Sequence, residues 1–266
     1  MSAYYQLRSE ELHDDGSVTR HYTSTLHAQG AWNEHEQHMA PATGVIAAEL
    51  EAFQPRSDMR IARISLDIFG LIHAGDFSIH THVLRPGRTI ELLESTMTTN
   101  GKTSIVARAW RMQTSDTSAV AALEDGRQVF PENMPPWEGM SQWAGGFIRS
   151  IEARTNFRRN GKGVVWINNG IEMVEGKPTS DFVHLMGMVD TANGTAPRIQ
   201  QTDIAWIFPN VDLQIHMHRA PHGHWLGLET VQQIGHDGIG LTSTVLHDVH
   251  GVFGRAEQIL TVRKVK

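Results

Sequence analysis

The chain has 266 residues, 40% of them hydrophobic, with a formal net charge of -6 and no cysteine. This length admits one large domain or two small ones with a real core, and the missing cysteines exclude a disulfide scaffold, a thiolate nucleophile and a zinc-thiolate site. The acidic balance without a long Lys/Arg run argues against a nucleic-acid partner, and no apolar run reaches membrane-spanning length.

Segment 2–30 is polar throughout and lacks the charged-then-apolar start of a secretory signal, so a cytoplasmic protein without membrane insertion is expected. A first strand is expected over 18–27. Ala42, Val45, Ile46, Leu50 and Phe53 then recur at helical spacing between Pro41 and Pro55, which predicts a helix with one apolar face. Next, Ala62, Ile64, Leu66 and Ile68 alternate with Ile61, Arg63, Ser65 and Asp67, the period of a half-buried strand. Further strands follow from Gly75 and Phe77, through the turn at Asn100 and Gly101, to Gln113. Segment 114–146 loses periodicity and holds Pro131, Pro135 and Pro136, which marks a boundary between units.

The second half repeats the pattern. Segments 151–157 and 164–167 predict opening strands. Phe182, Leu185, Met186 and Val189 predict a helix that starts at Pro178, Thr179, Ser180 and Asp181 and ends near Asn193 and Gly194. Val211, Leu213, Ile215 and Met217 then alternate with Asn210, Asp212, Gln214, His216 and His218. Gly223 with Trp225, and the turn at His250 and Gly251, answer Gly75, Phe77, Asn100 and Gly101. Such self-similarity predicts a duplicated unit: an N-terminal unit over 1–125, a linker over 126–146 and a C-terminal unit over 147–266. The expected class is α+β, a tandem hotdog in which an antiparallel sheet wraps one central helix in each unit.

Seven segments carry a resemblance to a known family. They are Ala-Arg-Ile-Ser-Leu-Asp-Ile-Phe-Gly (62–70), Leu-Arg-Pro-Gly-Arg-Thr-Ile-Glu-Leu (84–92), Ala-Arg-Ala-Trp (107–110), Met-Val-Asp-Thr-Ala-Asn-Gly (188–194), Phe-Pro-Asn-Val-Asp-Leu (208–213), His-Met-His-Arg (216–219) and Arg-Ala-Glu-Gln (255–258). In order and spacing they resemble the double-hotdog acyl-CoA thioesterases of the thioesterase II type. The resemblance implies hydrolysis of a fatty or small acyl-CoA thioester, with no metal or organic cofactor, by a water held between an acid, a small polar residue and a glutamine. Carried over by position, these are Asp190, Asn210 and Gln258. Thioesterase II has a threonine at the middle position, so the amide of Asn210 departs from the family pattern.

Read by themselves, these residues leave alternatives open. Asp190 stands either beside an apolar stripe, where poor solvation raises its pKa, or near a helix end as a capping residue. Gln258 points inward among small neighbours or sits on a half-exposed strand. Asn210 shares the parity of Asp212 and Gln214, the face turned away from the helix, and only an irregular strand start after Pro209 brings it to Asp190. An amide near Gly44 or Val45, early in the first helix, is the expected oxyanion donor. Arg85 and Arg88 in the Arg-Pro-Gly-Arg turn, and Arg219, are candidates for coenzyme A phosphates, against the plainer reading of a solvated turn.

Other chemistries fit less well. His80 with His82, and His216 with His218, share a strand face, but Glu91 and Glu229 come too late for a cupin-like metal set. Gly139-Met140-Ser141-Gln142-Trp143 lacks the second glycine of a nucleophile elbow. A dehydratase wants a histidine a turn or so from its aspartate, and after Asp190 none follows until His216. A non-catalytic acyl-CoA-binding hotdog protein is the remaining alternative. Acyl length depends on where Met186, Met188, Trp206 and Phe69 point. Unpaired sheet edges lead us to expect a homo-oligomer, dimer or higher.

Overall fold

The computed structural model describes residues 2–31, 33–199 and 205–265. Its first half runs β1 (Ala3–Leu12), β2 (Val18–Ser24), α1 (Met39–Ala52), β3 (Met59–Ile68), β4 (Asp76–Arg85), β5 (Ile90–Thr99) and β6 (Lys102–Gln113). The second runs α2 (Gly146–Arg149), β7 (Glu152–Arg159), β8 (Lys162–Asn168), β9 (Glu172–Val174), α3 (Asp181–Met186), α4 (Ala192–Thr195), β10 (Trp206–Ile207), β11 (Asp212–Met217), β12 (Leu226–Ile234), β13 (Ile239–Asp248), β14 (Gly251–Thr261) and β15 (Arg263–Lys264).

A 13-stranded sheet has the order β7-β8-β12-β13-β14-β11-β3-β6-β5-β4-β2-β1-β9, and β10 pairs separately with β15. Read outward from the central β11/β3 seam, one side mirrors the other. The register repeats as well. Gln214 faces Glu257, Ile215 faces Ala256 and His216 faces Arg255; in the first half Ser65 faces Arg108, Leu66 faces Ala107 and Asp67 faces Val106. Gln214 faces Ser65 across the seam, so a pseudo-twofold axis passes through that pair. Among the described residues strand pairing is antiparallel except for β1 with β9. Strand β1 lies in the stretch read as uniformly polar; Tyr4 and Tyr5 are buried there, packed against Phe147 and Phe77 respectively.

Helix α1 starts ahead of Pro41. His38 is its N-cap, and its imidazole Nδ1 accepts from the Ala40 amide at 3.0 Å. Pro41 then sits in the first turn, where its missing N–H costs no helical bond. Instead of one apolar face, α1 buries nearly its whole circumference, Met39 to Ala47 together with Glu49 and Leu50. The sheet packs on part of it, and α3 with the 3-10 turn Val189–Thr191 packs on another. Burial of Ile46 and Leu50 contributes roughly 1.5–3 kcal/mol each. The crossing with α3 is a backbone contact: a Cβ on Gly44 would lie 2.8 Å from Gly187 Cα.

Ser180 caps α3 as its sequence predicts, its Oγ accepting from Val183 N at 3.2 Å. The helix does not run on to Asn193. It stops at Gly187, a short 3-10 turn covers Val189–Thr191, and α4 follows. Gly187 weakens the helix intrinsically, and Met188, at φ -124°, leaves helical geometry. The stretch read as a linker is packed on the second half: Arg127 reaches Val249 O at 2.7 Å, Gln128 reaches Glu229 at 2.8 Å, and Met134 and Met140 are buried.

Candidate active site

The 3-10 turn after α3 carries Asp190 into the core, where it is 6% exposed. Two amides converge on one of its oxygens. Asn210 Nδ2 donates to Asp190 Oδ1 at 2.9 Å, and Gln258 Nε2 donates to the same atom at 2.9 Å. The second N–H of each amide has its own acceptor, Asp212 O at 3.0 Å for Asn210 and Asp190 O at 3.3 Å for Gln258. Because an ionised carboxylate only accepts, both amides present their nitrogens to it and keep their carbonyl oxygens for other partners.

A break in register brings Asn210 inward. Asn210 pairs with Leu260 in an isolated bridge, whereas Gln214 pairs with Glu257, so four steps along one chain match three along the other. The extra residue reverses the side-chain alternation that would have turned Asn210 outward. β14 brings Gln258 in by regular alternation, between buried Ala256 and Leu260.

Burial pushes the Asp190 carboxyl up to about 6, against the downward pull of the Asn210 and Gln258 hydrogen bonds. A buried carboxylate held by two neutral amides and no cation takes up a proton more easily than one in water. His38 Nδ1 lies 3.7 Å from Asp190 Oδ2, at the N-terminus of α1. The pair is not an ion pair. Burial lowers the imidazole to about 4, and Nδ1 already accepts from Ala40, which leaves the proton on Nε2.

Asp190, Asn210 and His38 line a cavity of about 50 Å³ with Thr191, Asn193 and Gly194, closed by Ala31, Met140, Trp143, Ile148 and Phe208. Gln258 Oε1 and Thr191 Oγ1 are buried without a hydrogen-bond partner among the described residues. Buried polar atoms of this kind are normally satisfied by water or ligand. A wider groove of about 590 Å³ crosses the sheet where Trp110, His216 and His218 lie, but none of the three converging residues reaches it.

Asp190, Asn210 and Gln258 are therefore brought together, and the other expected site residues are not. Gly44 and Val45 lie inside α1, past the amides left free by its first turn, and Gly44 serves the crossing with α3. Arg85 donates to Ile90 O at 3.1 Å beside Trp110, and the carbonyl of Arg88 accepts from Arg56 at 2.8 Å. Arg219 grips buried Asp248 with two bonds of 2.6 Å, so its guanidinium is held within the fold. Ser141, the middle of the near-elbow, is exposed and donates to Glu138 O at 2.6 Å. Met186 and Met188 are fully buried, whereas Phe69 is 66% exposed. Among the described residues no group of three His, Asp or Glu side chains is arranged to hold a metal ion. His38 and Trp143 carry no signal in the sequence that would place them here: imidazole is not a preferred helix cap, and Trp143 lies in an aperiodic, proline-containing segment.

Residues 28–112 match the N-terminal domain of acyl-CoA thioesterases and residues 124–262 match the C-terminal domain, so the chain belongs to the acyl-CoA thioesterase family. Its fold is the hotdog fold. A conserved hot dog protein of unknown function from Alicyclobacillus acidocaldarius superposes with a TM-score of 0.75 at 11% identity, over 96% of this chain and 97% of that one. The acyl-CoA thioesterase II TesB2 of Mycobacterium marinum superposes with a TM-score of 0.69 at 10% identity, over 98% and 97%. At these identities the likeness is one of fold. No curated protein matches the chain by sequence. Among the described residues no helix is long and apolar enough to cross a membrane.

Proposed function

We propose that this protein hydrolyses an acyl-CoA thioester to the free acid and coenzyme A, using a water activated by Asp190. The observation that carries the reading is the convergence of Asn210 and Gln258 on a single oxygen of a buried carboxylate. With Oδ1 held by two amides, Oδ2 is the basic atom turned to the cavity. One hydrogen of the water bonds to Oδ2 and the other to the carbonyl oxygen of Asn210 or Gln258, which aims the water lone pair at the thioester carbon. The water oxygen adds to that carbon, Asp190 takes the proton, the C–S bond breaks, and the proton passes to the departing thiolate. Asn210 thus acts towards the water as an acceptor, a role a threonine hydroxyl also fills. For the oxyanion we assign the Nε2–H of neutral His38 in place of an amide at Gly44 or Val45.

The mirrored strand order and register support two fused hotdog units over 1–125 and 147–266, with α1 and the α3 to α4 segment as their central helices. The stretch 126–146 contributes Met140 and Trp143 to the cavity wall. We place the acyl carbon next to that wall and leave Arg85, Arg88 and Arg219 out of the site. The test is release of free thiol from a panel of acyl-CoA thioesters by the parent protein and by Asp190→Asn. Hydrolysis by the parent that Asp190→Asn abolishes supports the proposal. Acyl-CoA binding without hydrolysis by the parent would instead favour the non-catalytic alternative.

A further inference from the structure

The pseudo-twofold axis through Gln214 and Ser65 implies a second location equivalent to the candidate active site. By the shared register, Phe208 corresponds to Met59, Asn210 to Ile61 and Gln258 to Ala109. Even the register break is repeated: Ile61 faces Arg111 just before the shift in β3, as Asn210 faces Leu260 before β11. A pocket of about 230 Å³ lies at this second location. Met59 and Ile61 line it as Phe208 and Asn210 line the first. The C-terminal end of α1 supplies Leu50, where the chain after α3 supplied Asp190. Phe182, in the first turn of α3, lines it as His38, the cap of α1, lines the first.

The second location cannot position a water as the first does. Ile61 and Ala109 offer no polar atom where Asn210 and Gln258 offer amides. Glu51, the carboxylate among the lining residues, is exposed and accepts from the α3 cap, Ser180 Oγ, at 2.7 Å. What the pocket has instead is a cation beside apolar walls. Arg60 lines it, donating to Met217 O at 3.3 Å and His218 O at 2.7 Å, and no carboxylate oxygen among the described residues lies within ion-pair distance of it. Burial lowers its pKa. The other two arginines differ: Arg111 is paired with Glu91, and Arg56 lies 3.4 Å from Asp58. A partly buried guanidinium with donors to spare favours an anion, and Leu50, Met59, Ile61 and Phe182 favour an apolar tail.

We propose that this pocket is a second, non-hydrolytic binding site for a small amphiphilic anion, with the anionic head on Arg60 and the tail against Leu50, Met59, Ile61 and Phe182. A free carboxylate and an acyl thioester of coenzyme A share this chemistry, and the test separates them. The site follows from geometry and stands whether or not the first location hydrolyses thioesters.

The experiment is calorimetric titration of the full chain with decanoate, decanol, coenzyme A and a non-hydrolysable decanoyl-coenzyme A thioether, in the parent, Arg60→Gln, Arg60→Lys and Ile61→Trp, with thiol release assayed separately. The parent is expected to bind decanoate, and Arg60→Gln to weaken that binding about tenfold or more, as loss of a charge-assisted contact does. Arg60→Lys should retain part of the affinity, and decanol should bind at least tenfold more weakly than decanoate. Ile61→Trp, which fills the pocket, should abolish binding there while thiol release stays at the parent rate. Tight binding of the thioether that both Arg60→Gln and Ile61→Trp weaken would name the thioester as the occupant; loss of decanoate binding alone would name the free acid. Decanoate binding equal in the parent, Arg60→Gln and Ile61→Trp, or equal affinity for decanol, overturns the proposal. Should Ile61→Trp fail to fold, Arg60→Gln and Arg60→Lys decide it.

Discussion

Asn210 donates to Asp190 Oδ1 at 2.9 Å only because one extra residue precedes β11 and turns the amide inward. The same oxygen accepts from Gln258, which leaves Oδ2 for the role of base that we propose. Asn210→Leu should therefore lower kcat by about 10²-fold, because an apolar side chain leaves the carboxylate short of a donor and the water short of an acceptor. Asn210→Thr should keep most of the activity. Steady-state thiol release decides, and equal loss in the two variants would show that a hydroxyl cannot replace the amide here.

Asp190→Asn keeps the shape and the Oδ1 acceptor but removes the base, so kcat should fall about 10²-fold or more. Stability should move the other way. The folded carboxyl titrates near 6, above its ordinary value of 3.8. A raised folded pKa favours the native state at low pH, and that advantage is lost as pH rises from about 4 through about 6. Above pH 6 the buried ionised carboxylate is a burden of up to roughly 3 kcal/mol, at 1.36 kcal/mol per unit. Denaturant unfolding should accordingly show Asp190→Asn gaining on the parent between pH 4 and 6 and holding a constant lead above. A difference that does not change with pH would mean that Asp190 is not the titrating group.

The same titration predicts the rate profile. With Asp190 as base, kcat/KM should be half-maximal near pH 6, level off above about pH 7 and fall tenfold per unit below about pH 5, with no contribution from His38, whose imidazole stays neutral until about 4. An acid limb that persists in Asp190→Glu with a shifted midpoint would tie the profile to this carboxylate. A limb that persists unshifted in His38→Gln would exclude the imidazole.

His38→Phe should preserve packing against Phe147 but remove the Nε2–H donor and the cap on α1. The expected loss is about 10²-fold in kcat with a smaller stability cost near 1 kcal/mol. Thermal unfolding separates the two effects, because a purely structural role would lower Tm without changing kcat of the folded fraction.

Gly44→Ala tests the helix crossing. The added methyl would meet Gly187 Cα at 2.8 Å, and a backbone atom cannot swing away as the Met173 methyl can. A cost of about 1–3 kcal/mol is expected from overpacking. Turnover should fall too, since displacement of Gly187 moves Asp190, three residues on. An unchanged unfolding midpoint would show that α1 and α3 adjust freely.

The sequence by itself determined the local and periodic features of this protein. Alternation of Leu213, Ile215 and Met217 specifies a one-faced strand, Ser180 stops the backbone from fraying at the start of α3, and the recurrence of turn positions in both halves announces a repeated register, because these depend on neighbours close along the chain. The resemblance implies Asp190, Asn210 and Gln258 together, but the meeting of Asp190 with Gln258 depends on two elements 68 residues apart. Only the tertiary structure decided that α3 ends at Gly187, since that stop accompanies the close crossing of Gly44 on another helix. It likewise decided the inward turn of Asn210, because a bulge is defined by the partner strand and cannot be read from parity alone. The use of Gly44 is likewise set by what it touches, the Gly187 backbone at the end of the facing helix. His38 enters the cavity through a cap geometry with no sequence preference behind it, and Ile61 becomes the counterpart of Asn210 only once the two halves are folded about one axis.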